Sequence, residues 1–280
     1  MKTIYKLLIA MFCLLLATQA QAQIEVRLQP IRKDFLLGEN VAFRITIANQ
    51  TDSTVHLRNT PGRPWLNVSL TRRGNQGPLS PIATVRFPEI SLTPASTRSF
   101  EFSIHNMYRL HIAGNYTASA TIRMPDGATT YGSNRAMFVM KTGGKLREFN
   151  IQARGQRINM SLRMADINGK TCLFGQATNI DTNQVIGACV LAEYLNFMKP
   201  SVLLDSAHNM HVLCQSSPDF YTYAVMDTHG KRSAVKLYKR TGDTVDLIGT
   251  GKGIFPIGVT PYTPPAPGME NVRKASDRPF

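Results

Sequence analysis

The sequence predicts an all-β protein, and three observations carry that expectation. Apolar and polar residues alternate at period two in one short segment after another. Clusters of Gly, Pro, Asn and Asp separate those segments. The segments are also short and closely spaced along the whole chain, as in layered sheet proteins.

Residues 1–22 come first and read as a leader. Lys2 and Lys6 give a positive start, Leu7 to Ala17 is apolar, and Ala20-Gln21-Ala22 is an A-x-A cleavage site. Together these are the parts of a secretory signal peptide. The mature chain is expected to begin near Gln23 and to be secreted or periplasmic. Met11 and Phe12 before Cys13 are too large for a lipoprotein signal. The leader's apolar run is too short to span a bilayer, and no later run reaches eighteen apolar residues.

Residues 23–142 should form the first domain. Ile24, Val26 and Leu28 alternate with polar neighbours, as do Val41, Phe43, Ile45 and Ile47. Further strands are expected at Thr54–Leu57, Trp65–Thr71, Ser99–Ile104, Tyr116–Met124 and Arg135–Met140, with Pro61-Gly62 and Pro125-Asp126-Gly127 among the turns. Thr142-Gly143-Gly144-Lys145 opens a linker over residues 143–149.

Residues 150–255 should form a second β-rich domain. Strands are expected at Ile158–Asp166, Thr171–Gln176, Val185–Tyr194, Ser201–Asp205, His211–Gln215, Phe220–Asp227 and Ser233–Arg240. Three junctions share an Asp followed by a small polar turn: Asp166 to Lys170, Asp205 to Asn209, and Asp227 to Lys231. The stretches Asp166–Gln176 and Asp205–Gln215 align with each other. Cys189–Met198 fits either strand or helix. The Pro-rich residues 256–280 read as an extended or disordered tail.

Two resemblances can be tied to residues. Leu37-Gly38-Glu39-Asn40-Val41 through Asn49, and Ile112-Ala113-Gly114-Asn115-Tyr116-Thr117-Ala118, resemble strands of bacterial immunoglobulin-like domains. That resemblance implies a cysteine-free antiparallel sandwich over about 24–142, with Tyr116 in the place of the tyrosine corner and Ala118 in that of the second cysteine. It implies fold and no particular function. Leu203 to Leu213 resembles a β-propeller blade, so the second domain is either an open β-meander or a partial propeller.

Candidate chemistry is sparse. His208, His211 and His229 are weak candidates for a metal site, because a turn entering a strand does not make the rings converge. There is no G-x-S-x-G, and Gly249 to Gly253 lacks the spacing of a phosphate loop. Cys172, Cys189 and Cys214 sit in apolar strand-like settings, which suits buried thiols; one bridge among them is the alternative. No cofactor is expected.

The charge is more informative. The chain has 32 Lys+Arg against 18 Asp+Glu, a net +14. For an exported protein this favours a protein partner or an anionic envelope component. No nucleic-acid motif is present. The binding candidates are Arg58, Arg63, Arg72 and Arg73 around Trp65, the sole tryptophan. An Arg-flanked aromatic suits a binding surface; the alternative packs Trp65 between sheets and leaves the arginines solvated. Lys231, Arg232, Lys236, Lys239 and Arg240 form a second basic group.

The expected function is therefore non-catalytic binding or scaffolding. A second reading is a protease inhibitor presenting the Pro-stiffened loop Arg58 to Pro64. A third is a metal-dependent enzyme using the three histidines.

Overall fold

The computed structural model describes residues 24–75 and 77–264. The leader and residues 265–280 of the expected tail lie outside the described residues. In chain order the strands are β1 (Ile24–Pro30), β2 (Asp34–Leu36), β3 (Ala42–Asn49), β4 (Val55–Leu57), β5 (Leu66–Arg72), β6 (Ile90–Leu92), β7 (Thr97–Ser103), β8 (Gly114–Arg123), β9 (Thr130–Gly132) and β10 (Ala136–Lys141). They continue with β11 (Gly144–Ala153), β12 (Gln156–Ile167), β13 (Lys170–Asn179), β14 (Gln184–Glu193), β15 (Ser201–Leu204), β16 (Met210–Ser217), β17 (Phe220–Met226), β18 (Arg232–Arg240), β19 (Asp246–Thr250), β20 (Gly253–Ile257) and β21 (Val259–Pro261). There is no helix among the described residues, and no sheet closes into a barrel.

These residues form two compact units. The first holds Asn40–Leu110, Gly114–Met140 and the described residues before Asp34. The second holds the rest, including the short segments Asp34–Glu39 and His111–Ala113.

In the first unit one sheet has the order β1-β3-β7, and a second has β10-β8-β5 with β9 added beside β8. Strand β3 shows why they pack. Phe43, Ile45 and Ile47 are fully buried, while Arg44 points to solvent. Burying such a side chain stabilises by about 1.5–3 kcal/mol. The sheets meet through aromatic rings, Phe43 edge-on to Phe138 at 5.5 Å and Trp65 to Phe100 at 6.2 Å. Strand β3 ends at Asn49, whose buried side chain donates to the carbonyls of Ser53, Leu92 and Thr93 and accepts from Thr51. Tyr116 does not stand alone as the tethering tyrosine. It stacks on Phe138 at 5.3 Å, while the buried Tyr108 donates its hydroxyl to Val68 O at 2.7 Å. The turn Ile104–Tyr108, closed by hydrogen bonds to Ile104 O, brings Tyr108 to that position.

The second unit contains two successive meanders, β11-β12-β13-β14 and β15-β16-β17-β18, the latter extended by β21. Their faces share a core of Met160, Leu162, Leu173, Leu191, Met210, Val212 and Met226. The second sheet is covered on its other face as well, where Leu213, Tyr221, Tyr223 and Tyr238 pack with Leu247 of the β19–β20 hairpin. Burial on both faces explains why β16 (MHVLCQSS) reads as an apolar run with little alternation.

Two expectations need correction. Residues 143–149 are not a linker: all but Gly143 lie in β11, because Phe149 and Ile151 alternate onto the core. The extended tail does not begin at 256: β20 and β21 still pair there, β21 with β18. Its prolines are tolerated because these are short peripheral strands. Of the two alternatives open at Cys189–Met198, the strand holds as far as Glu193 and is followed by a turn where Tyr194 Oη donates to Met198 O at 2.6 Å.

The three Asp-headed junctions are all hairpins, but the pair that matches is not the expected one. Between β12 and β13 the turn is only Asn168-Gly169, both at positive φ (51° and 79°), and Asp166 stays in the ladder opposite Thr171. Asn-Gly is the preferred dipeptide for such a tight turn. The other two junctions are five-residue loops of the same build. Asp205 Oδ1 accepts from the amides of Ala207 and Asn209. Asp227 Oδ1 accepts from those of His229 and Lys231.

Candidate functional site

The five expected binding residues part into three places. Trp65 is in the core, 1% exposed, with its indole N–H donating to Pro88 O at 3.1 Å and its ring edge-on to Phe87. The packed-between-sheets reading is therefore the right one for this side chain.

Arg58 and Arg63 are exposed on the loop that leads to it. That loop is closed on itself: Thr60 N donates to Arg63 O and Arg63 N to Thr60 O, both at 3.0 Å, around Pro61-Gly62 with Gly62 at φ 71°. Asn59 ties it down by donating to Phe87 O. A residue read by a protease offers its own N–H and C=O to the enzyme. Those of Arg63 are already used, which weighs against the inhibitor reading.

Arg72 and Arg73 lie elsewhere, at the end of β5, and line a groove of about 920 Å³ in the first unit. The groove crosses the solvent side of the sheet, where Met137, Thr117 and Thr71 are cross-strand partners. One wall comes from Leu28 to Pro30 and Lys33; the other from Arg72 to Asn75. Arg135 completes the cations among the described lining residues, and no described Asp or Glu lines the groove. Arg72 donates to Asn75 Oδ1 at 3.0 Å. Lys33, Arg73 and Arg135 make no ion pair with a described residue. Met137, 73% exposed, adds an apolar spot among these charges.

Lys33 and Arg135 escape a sequence reading because they stand far from Arg72 in the chain, one on either side of it. Only strand order gathers them. The clue that was present is the overall basic excess.

The wall at Leu28 is fixed by one side chain. Asn134 Oδ1 accepts from Leu28 N at 2.9 Å, and Asn134 Nδ2 donates to Leu28 O at 3.0 Å. A single amide thereby takes the place of a neighbouring strand for that residue.

The histidines do not converge. His211 is held between Tyr223 Oη, 2.6 Å from Nδ1, and Asp205 Oδ2, 3.0 Å from Nε2. His229 meets Arg154 and lies 3.6 Å from Asp227. His208 occupies the left-handed position of its turn at φ 64°. Among the described residues no group of three His, Cys, Asp or Glu could hold a metal ion.

Cys172, Cys189 and Cys214 form no disulfide among the described residues. Burial pushes the thiols of Cys189 and Cys214 up to about 12, which keeps both protonated at neutral pH. Of the second basic group, Arg232 donates to Val190 O, and Arg240 to the carbonyls of Gly242 and Asp243. One guanidinium thus braces strand β14 and the other the loop after β18, and the group is not one open patch.

No known protein family matches the chain, and no curated protein matches it. Among solved structures, a sporulation control protein from Bacillus subtilis is 8% identical, with 75% of this chain and 82% of that chain covered at a TM-score of 0.30. A CARDB domain from Pyrococcus furiosus is 13% identical, covering 43% and 88% at 0.25. An alkylpurine DNA glycosylase from Pseudomonas fluorescens is 14% identical at 0.30; 46% of this chain is covered, and the match spans 33% of the glycosylase.

Proposed function

We propose that this protein is an exported, non-catalytic binding module that recognises an anionic envelope component through the groove of its first unit. The observation that carries the reading is the lining itself: Lys33, Arg72, Arg73 and Arg135 line one groove with no carboxylate among the described lining residues. Guanidinium groups recognise phosphate and carboxylate through paired donors, and two of the three arginines here are free to do so. The basic excess of the chain, which outlasts removal of the leader's Lys2 and Lys6, adds long-range attraction to an anionic surface.

On this reading the first unit is an immunoglobulin-like platform, and the second is an open pair of meanders. Two stacked meanders, in place of a ring of at least four blades, favour the open form over a propeller. Binding is favoured over chemistry by the state of the groups that would do it. The buried thiols are protonated, and His211 is engaged on both ring nitrogens.

The test is sedimentation of the purified chain with an envelope fraction and with vesicles of anionic or neutral phospholipid. Binding to the anionic material should weaken as ionic strength rises from about 0.1 M to about 1 M, where the screening length falls from about 10 Å to about 3 Å. The double variant Arg73→Glu, Arg135→Glu should abolish it. Salt-insensitive binding, or full binding by that variant, would remove the groove from the account.

A further inference from the structure

A separate cleft of about 430 Å³ lies within the second unit, on the face of β11–β14 that points away from the shared core. Its floor is a row of cross-strand partners, Asn150 opposite Asn159, Asn159 opposite Thr178, and Thr178 opposite Val185. The next row pairs Ser161 with Gln176, and both are buried although neither faces the core. They are covered by the segment through Leu37: Gln176 Nε2 donates to Leu37 O at 2.9 Å, and Ala188 N donates to Gly38 O at 3.2 Å. A sheet face that needed only to meet solvent would not require a covering segment. This one has a roof, and beneath it a set of amides and hydroxyls.

The hydrogen-bonding capacity of that set is only part used. Asn159 Nδ2 donates to Asn150 Oδ1 at 2.7 Å, which leaves the Asn159 carbonyl and the Asn150 amino group without a side-chain partner among the described residues. Thr178 and Asn183 line the cleft and make no side-chain hydrogen bond to a described residue. Adjacent donors and acceptors of this kind match vicinal hydroxyls. Ile180, Val185 and Leu37 supply an apolar wall for the C–H face of a ring.

The cleft is poorly suited to an anion. Its one arginine, Arg163, already donates to Ser161 Oγ at 3.3 Å and to the carbonyls of Thr142 and Gly143 at 3.2 Å. Glu148 stands in the neighbouring row, opposite Ser161. The volume is near the lower end of the roughly 300–1,000 Å³ typical of ligand pockets, which suits one or two sugar rings.

We propose that this cleft binds a neutral mono- or disaccharide through Asn150, Asn159, Thr178 and Asn183. The site is independent of the groove in the first unit.

The experiment is saturation-transfer difference NMR on the full chain with glucose, galactose, N-acetylglucosamine, cellobiose and chitobiose. Glucuronate and glucose 6-phosphate serve as charged counterparts. At least one neutral probe should bind saturably, with little response to salt. Thr178→Val and Asn183→Ala should each weaken it at least fivefold without moving the thermal midpoint, and Arg73→Glu should leave it unchanged. The proposal is overturned if no neutral probe binds, if only the charged sugars do, or if both cleft variants bind like the parent.

Discussion

His211 and Tyr223 are joined across the β16–β17 pair by a 2.6 Å contact between Nδ1 and the phenol oxygen, and both residues are buried. Burial, and to a lesser extent Tyr238 and Asp205, raises the Tyr223 phenol, so it stays protonated and donates. With the phenol as donor to Nδ1, the imidazole proton sits on Nε2, which faces Asp205 Oδ2 at 3.0 Å. The chain Tyr223–His211–Asp205 thus fastens the β15–β16 turn to the next strand over.

Tyr223→Phe keeps the ring, its packing and its edge contact with Tyr238 but leaves His211 Nδ1 without its donor. The expected cost is about 1–3 kcal/mol, the penalty for a buried polar atom that loses its partner. Urea unfolding followed by circular dichroism measures it. A Tyr223→Phe variant as stable as the parent would mean that water replaces the phenol.

The same chain sets a pH dependence. Burial alone would raise the Asp205 carboxyl, but hydrogen bonds from His211 and Asn209 outweigh it and hold the group below the usual carboxylate range. Its folded value lies under the unfolded one, about 3.9. The stabilisation is therefore complete above the unfolded value and is lost as pH falls through the folded one. Thermal midpoints taken from pH 6 downward should fall in the acid range. The fall should be shallower in Asp205→Asn, and an identical slope in both proteins would assign the acid sensitivity to other carboxylates.

Much of this was legible in the sequence, and the failures have identifiable causes. Strands such as β1 and β3 alternate cleanly, because one face meets a core and the other does not. β2, β6, β9 and β21 are three residues each, too short to show a period, and pairing alone defines them. Gly143-Gly144 looked like a linker because glycine pairs usually mark one. Gly143 is instead required by contact: a Cβ there would lie 2.6 Å from Met164 O and from the ring of Phe174. The candidate site was half legible. Arg72 and Arg73 are adjacent in sequence, whereas Trp65 earned its place by proximity in the chain and points the other way. Lys33 and Arg135 carry no local mark at all.

Gly187 and Gly230 illustrate the same distinction between turn and contact. A Cβ on Gly187 would sit 2.2 Å from His229 O, and one on Gly230 would sit 2.3 Å from the Gly187 carbonyl carbon. Gly230 is at φ 73°, but the matching position of the β15–β16 turn is filled by His208 at φ 64°. The turn itself thus accepts a side chain, and glycine at 230 is needed for the backbone contact. Gly187→Ala involves no positive φ and isolates that contact; it should cost about 1–3 kcal/mol, the range for overpacking. Gly230→Asn, which suits the left-handed conformation, should be destabilising as well. If Gly230→Asn matches the parent in urea unfolding, the close approach relaxes freely.

Trp65 is the sole tryptophan, so its fluorescence reports on the first unit alone. With 1% exposure and its indole N–H bonded to Pro88 O, it should emit at short wavelength in the native protein and shift to the red on unfolding. Trp65→Ala should cost about 3–5 kcal/mol, the range for a large aromatic lost from a core. Arg63→Ala, two residues away on the closed loop, should stay within about 0.5 kcal/mol because its side chain is exposed and away from the packed rings. The pair of variants separates core from surface within one short segment. Native emission typical of a hydrated indole, or a tolerated Trp65→Ala, would place the ring outside the sandwich and return it to the list of binding residues.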